Sequence, residues 1–158
     1  MFPMSLIVQK YGGTSVANPE SLKIVADKII SAKKDGKQVV VVVSAMGSST
    51  DELIALANQL SESPSPREMD MLLSAGERIT MSLLAMHLNS LGYDSFSLTG
   101  SQAGIITTSR HGRAEIEKIS GERVKEGVDK GSIVIVAGFQ GFSPDTREIT
   151  TLGRGGSD

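Results

Sequence analysis

No cysteine occurs anywhere in the 158 residues, which excludes disulfides, a thiolate nucleophile and cysteine-held zinc. Histidine is almost as scarce: His87 and His111 are too few for a multi-histidine metal site. There is no basic block, and the formal net charge of -2 argues against a nucleic-acid surface. No apolar run approaches the ~20 residues that span a bilayer. The opening Met1-Phe2-Pro3-Met4-Ser5 leads directly into a strand-like run, so no signal or transit peptide is expected. The expectation is a cytoplasmic protein, or at least one soluble in a reducing compartment. Neither a Walker A sequence nor a Gly-x-Gly-x-x-Gly fingerprint is present, and there is no internal repeat. With 39% hydrophobic and 22% charged residues, the chain has an ordinary globular composition and the length of one domain with a real core.

What is present alternates between strand and helix patterns. Leu6-Ile7-Val8 is a short apolar run that ends at Lys10-Tyr11-Gly12-Gly13, as a strand ends in a glycine turn. Asn18-Pro19 opens a helix, with Asn as cap and Pro at the first helical position, and Gly36 stops it. Val39 to Val43 is an unbroken β-branched run, the pattern of a strand buried on both faces of a parallel sheet. Thr50 can cap a helix with apolar positions at Leu53, Leu56, Ala57 and Leu60.

After the linker Ser63-Pro64-Ser65-Pro66 comes a long helix, Arg67 to Leu91, closed by Gly92. Its apolar residues (Met71, Leu72, Leu73, Ile79, Met81, Leu83, Leu84, Met86, Leu88) cover most of its circumference and imply a central position. Asp94 to Thr99, Ile105 to Thr108, Ala114 to Ile119 and Ile133 to Ala137 read as strands, and Glu122 to Lys130 as a short helix. Arg147 to Thr151 can form one arm of a hairpin. Gly155-Gly156-Ser157-Asp158 looks like a helix N-cap with no helix after it, so the chain is expected to stop inside an element. Strand–helix alternation predicts an α/β fold with a mostly parallel central sheet.

In such sheets ligands bind at the carboxyl ends of the strands. Small polar residues fall at those ends: Lys10-Tyr11-Gly12-Gly13-Thr14-Ser15, Ser44-Ala45-Met46-Gly47 and Gly138-Phe139-Gln140-Gly141. Lysine with two glycines ahead of a helix suits phosphate, because glycine lets backbone N–H groups approach an anion. By itself the same tetrad is also a sharp turn beside a surface lysine. Glu77, next to Arg78, could likewise be half of a surface ion pair, although its setting in an apolar helix favours buried recognition. His111, between Arg110 and Gly112, reads as a loop residue, and His87 as surface or structural.

Together, Lys10 to Ser15, Ser44 to Thr50, Ser74-Ala75-Gly76-Glu77-Arg78 and Thr151-Leu152-Gly153-Arg154-Gly155-Gly156-Ser157-Asp158 closely resemble the aspartate kinases of the amino-acid kinase family. The resemblance spans the whole chain in order and spacing. It implies the carbamate-kinase-like three-layer α/β/α sandwich, cut short. In that family a nucleotide lobe and regulatory ACT domains follow, and both are expected to be absent here. It also implies the activity, phosphoryl transfer from ATP with Mg²⁺ to the β-carboxylate of L-aspartate. By position, Lys10 and Asp158 would be catalytic, and Lys10, Gly12, Gly13 and Ser15 would contact phosphate. Ser44, Thr50, Glu77, Arg154, Gly155, Gly156 and Ser157 would bind the substrate, with Glu77 on its ammonium and Arg154 on a carboxylate. No resident metal ligand is implied, and a homo- or hetero-oligomer is expected of the complete protein. Other acceptors, glutamate or N-acetylglutamate, and a non-catalytic amino-acid-binding module are the alternatives.

Overall fold

The computed structural model describes residues 5–153 and 155–158. Residues 1–4 and Arg154, and with them the expected carboxylate clamp, lie outside the described residues. The first sheet is entirely parallel, in the order β1 (Leu6–Tyr11), β2 (Gln38–Val43), β6 (Ile133–Ala137), β3 (Ser95–Leu98). A second sheet runs β5 (Ile116–Ile119), β4 (Ile105–Thr107), β7 (Gln140–Ser143), β8 (Glu148–Thr151) and is mixed: only β4 and β7 are parallel. The helices are α1 (Pro19–Lys34), α2 (Ser49–Leu60), α3 (Pro66–Ser90) and α4 (Glu122–Asp129).

Side-chain alternation along β2 and β6 separates the layers. Val39, Val41, Val43, Ile133, Ile135 and Ala137 join α1 and α3 in one core, while Val40, Val134 and Val136 join Leu98 and α4's Val128 in another. The parallel sheet is therefore covered on both faces, giving α, β and α layers. Val39, Val41 and Val43 are wholly buried, each stabilising the fold by about 1.5–3 kcal/mol relative to exposure. A charged residue at Val41 would break this strand.

The local signals act as expected at α1, where Asn18 Oδ1 accepts from the Ser21 N–H at 2.9 Å and Gly36 takes a positive φ after the last turn. Elsewhere the structure corrects the reading. Thr50 does not cap α2: the helix begins at Ser49, with Ser48 at the cap position, and Thr50 stands in its first turn. No α2 residue is buried, and Leu60 is 91% exposed, because α2 packs mainly against α3. The α3 helix is not central on all sides. Leu73, Met81, Leu84 and Leu88 are buried, whereas Met71, Ile79, Leu83 and Met86 are exposed on the other face. The carboxyl end of β6 does not finish in a loop. After Gly138 and Phe139 the chain enters the second sheet as β7, and Phe139 makes the corner with a φ of 65°.

Candidate functional site

The carboxyl ends of β1, β2 and β6 lie side by side, tied by backbone bonds from Ser44 N–H to Tyr11 O (3.0 Å) and from Gly138 N–H to Val43 O (2.9 Å). A cavity of about 410 Å³ opens above them. Lys10 and Gly13 line it from β1 and its following turn, and Ser44, Ala45 and Gly47 from the exit of β2. Thr50, Asp51 and Ile54 come from α2, Leu73 and Glu77 from α3, Phe139 from the β6 corner, and Gly155 and Ser157 from the last turn.

Two glycines make the close approaches that shape this cavity. A Cβ on Gly13 would lie 3.0 Å from Gly47 O and 3.2 Å from Ala45 O, so a side chain there would push the exits of β1 and β2 apart. A Cβ on Gly76 would lie 2.7 Å from the Ala45 Cβ, inside any normal contact. Its absence lets α3 lie directly against the β2 exit and brings Glu77 to the Ala45 N–H, which donates to Oε1 at 3.2 Å.

Glu77 is 3% exposed, and its second oxygen, Oε2, is buried without any hydrogen-bond partner. Desolvation pushes its carboxyl up from the ordinary 4.5 to about 7, opposed only in part by its own and the Ala45 backbone N–H groups. A buried carboxylate oxygen with no donor is costly, on the order of 1–3 kcal/mol or more for a charged group. It is relieved by a ligand that brings a donor, best of all a cationic one.

At the other end of the cavity Lys10 Nζ is ion-paired with the Asp158 carboxylate, in a setting open to water. Ser157 folds back to the β6 corner, where its Oγ accepts from the Phe139 N–H at 2.7 Å. That hydroxyl keeps its own hydrogen to donate into the cavity. Among the described residues no group of three or more His, Cys, Asp or Glu side chains could hold a metal ion. No helix among them is long and apolar enough to cross a membrane.

Of the residues singled out in the sequence, the fold brings Lys10, Gly13, Ser44, Thr50, Glu77, Gly155 and Ser157 to one cavity, with Asp158 joined to Lys10. Gly12 and Ser15 do not line it; Gly12 O accepts from Ser15 N–H at 3.0 Å within the turn after β1. Gly156 packs against Leu152 instead, where a Cβ would approach the Leu152 Cβ to 2.5 Å. Sequence reasoning missed Phe139, Ala45, Gly47, Asp51, Ile54 and Leu73. Only the first three carried a signal, their place in the small-residue segments at the ends of β6 and β2.

Comparison with known proteins agrees with this geometry. The model of the amino acid kinase family matches residues 5–158. The aspartokinase of Mycolicibacterium smegmatis is 58% identical over 155 residues, which cover 98% of this chain and 37% of that protein. Aspartokinase 2 of Bacillus subtilis is also 58% identical, with 98% of this chain and 38% of that protein covered. The crystal structure of aspartate kinase from Synechocystis superposes with a TM-score of 0.82 at 48% identity, over 97% of this chain and 24% of that one. The chain thus spans little more than a third of the length of the curated relatives it matches. With the family model matched over nearly every residue and the fold shared with a solved member, the chain belongs to the amino acid kinase family.

Proposed function

We propose that this chain is the acceptor-binding part of an aspartate kinase, which transfers the γ-phosphoryl group of ATP to the β-carboxylate of L-aspartate and yields 4-phospho-L-aspartate and ADP. The observation that carries this reading is the unpartnered, buried Glu77 Oε2 in a cavity that has a lysine at its far end. An α-ammonium would complete Glu77 and draw it into its ionised form. An N-acylated amine carries no charge and would not. Relatives at 56–58% identity that carry the name aspartokinase support the same acceptor.

The chemistry asks little of titrating side chains. Aspartate's β-carboxylate is ionised at pH 7, so no general base is needed. One of its oxygens attacks the γ-phosphorus while the bond to the β,γ-bridging oxygen breaks, and ADP leaves with that electron pair. The enzyme must neutralise the moving phosphoryl group and hold donor and acceptor in line. Lys10 supplies the positive charge, and Asp158 holds the lysine in place until phosphate takes over. Gly13, which lines the cavity beside Lys10, would approach the phosphates, with Gly12 and Ser15 in the same turn after β1, and Mg²⁺ arrives on the nucleotide as part of the substrate. Ser44, Thr50 and Ser157 offer hydroxyls to the acceptor's carboxylates beside Gly155, and the family resemblance assigns one of those carboxylates to Arg154. The aspartate ammonium rests on Glu77.

The test is ADP release by the protein expressed at the length of its curated relatives, with L-aspartate, L-glutamate and N-acetyl-L-glutamate offered as acceptors. Turnover that depends on L-aspartate is expected. Preference for N-acetyl-L-glutamate would overturn the acceptor assignment, and no acceptor-dependent turnover would overturn the kinase reading.

A further inference from the structure

The buried face of α3 carries polar groups at Asp70, Ser74 and Glu77, spaced so that all three lie along one side of the helix. Each is spent on a different neighbour. Glu77 reaches the exit of β2 through the Ala45 N–H. The Ser74 carbonyl accepts from Gln140 Nε2 of β7 at 2.9 Å. Asp70, 1% exposed, takes the Thr151 hydroxyl at 2.5 Å, the Gly112 N–H at 3.0 Å and the His111 Nδ1 at 2.7 Å. Which of the two donates in the His111 Nδ1 contact depends on the imidazole tautomer. A buried carboxylate is an expensive way to fill a core position unless it is fully bonded. Here the partners come from two separate segments of the chain, His111-Gly112 and Thr151, neither of them at the Glu77 end of the cavity.

Thr151 is the last residue of β8. From it the chain passes Leu152, whose N–H donates to Phe139 O at 2.9 Å, and reaches Ser157, whose Oγ accepts from the Phe139 N–H. The same helix therefore holds both walls of the cavity: Glu77 directly, and the Phe139–Ser157 wall through Asp70 and Thr151. Asp70 and Glu77 are two turns apart, about 10 Å along a rigid helix axis.

We propose that Asp70 is a positioning residue that sets the distance between the ammonium end and the carboxylate end of the acceptor site, acting through the Thr151 hydroxyl, with His111 and Gly112 holding its carboxylate in place. This rests on the reading of the cavity as an amino-acid acceptor site. A fixed distance between the two walls is what separates aspartate from glutamate, one methylene longer. A single methylene supports about 10–200-fold discrimination.

The experiment compares wild type, Thr151→Val, Thr151→Ser and Asp70→Asn in the protein at the length of its curated relatives. The readouts are kinetics with L-aspartate and L-glutamate, and hydrogen exchange of the Phe139, Leu152 and Gly156 amides. Thr151→Val keeps the shape and removes the donor. It is expected to raise KM for aspartate about tenfold, with KM for ATP unmoved, and to narrow the aspartate-to-glutamate ratio of kcat/KM by a similar factor. Thr151→Ser restores the donor and should return both values to within about twofold of wild type. Asp70→Asn should follow Thr151→Val, and the three amides should exchange faster in both. A folded Thr151→Val protein with unchanged selectivity and unchanged exchange overturns the proposal. So does a fall in thermal stability with kinetics and exchange intact, which is what a purely structural residue gives. If wild type shows no aspartate-dependent turnover, the acceptor reading fails by itself. Exchange then decides: faster exchange of the three amides upholds the positioning role, and unchanged exchange refutes it.

Discussion

The two ends of the cavity hold opposite charges under opposite solvation. Glu77 is almost wholly buried, has no partner for one of its two oxygens, and is pushed toward its neutral form. The Lys10 and Asp158 side chains, 36% and 65% exposed, are bonded to each other in a position open to water. Charges interact several-fold more strongly in a desolvated site than in bulk water. The buried end can therefore select an acceptor by its charge, since an ammonium there meets little competing solvent. The open end cannot select in that way. An exposed ion pair contributes only about 0–1 kcal/mol to stability, so Lys10 can leave Asp158 for a phosphate at little cost. On the proposed reading, recognition would fall where water is excluded, and phosphoryl handling where a large, hydrated nucleotide could enter.

The largest expected effect lies at the open end. Lys10→Ala should lower kcat by about 10²–10³-fold, as when one preorganised donor to the developing charge is lost, with KM for aspartate nearly unchanged. Steady-state kinetics at saturating ATP measures it, and a near-normal kcat would return Lys10 to the role of a surface residue beside a turn.

The buried end should show itself through pH. A carboxyl raised from 4.5 to about 7 on folding gives stability that is complete below 4.5 and lost as pH rises to about 7. For the ligand-free protein this amounts to about 3 kcal/mol. Urea unfolding between pH 4.5 and 8 should show that slope in wild type and lose it in Glu77→Gln. Ligand binding runs the other way, because the ammonium favours ionised Glu77. KM for aspartate should fall as pH rises toward 7, by up to about tenfold per unit, and level off above it. Lys10→Ala should leave both trends in place.

The smallest effect is expected far from both ends. Leu60, 91% exposed on α2, should tolerate change to Ser within about 0.5 kcal/mol in the same unfolding assay. A larger loss would mean that this face of α2 is covered in solution.

The parallel sheet was legible from its two central strands: Val39 to Val43 and Ile133 to Ala137 are almost wholly β-branched and hydrophobic on both faces, as a doubly covered strand can be. Strand β7 was not. Gln140-Gly141-Phe142-Ser143 has no β-branched residue, and it is a strand because the Phe139 corner delivers it between β4 and β8. Periodicity also misjudged the helices. Leu56 and Leu60 are spaced like a core face, and Ile79, Leu83 and Met86 like a second one, yet burial depends on what packs opposite, which spacing does not encode.

In the site, Lys10, Ser44, Glu77 and Ser157 stood out because they belong to compact motifs at strand ends or on α3. Asp70 and His111 did not, since nothing in the sequence across their separation of 41 positions foretells their contact. Phe139 was visible only as part of the small-residue segment at the end of β6, because a positive φ at a phenylalanine has no sequence signature.

The most direct test is whether the orphaned Glu77 oxygen receives an ammonium. Calorimetric titration of L-aspartate and N-acetyl-L-aspartate into wild type and Glu77→Gln, at pH 8 with a non-hydrolysable ATP analogue present, isolates that contact from turnover. Glu77→Gln should weaken L-aspartate by about 1.5–3 kcal/mol, roughly 10- to 150-fold, and N-acetyl-L-aspartate much less. Equal losses for the two ligands, or none for L-aspartate, would contradict the assignment of Glu77 as the partner of the acceptor's ammonium.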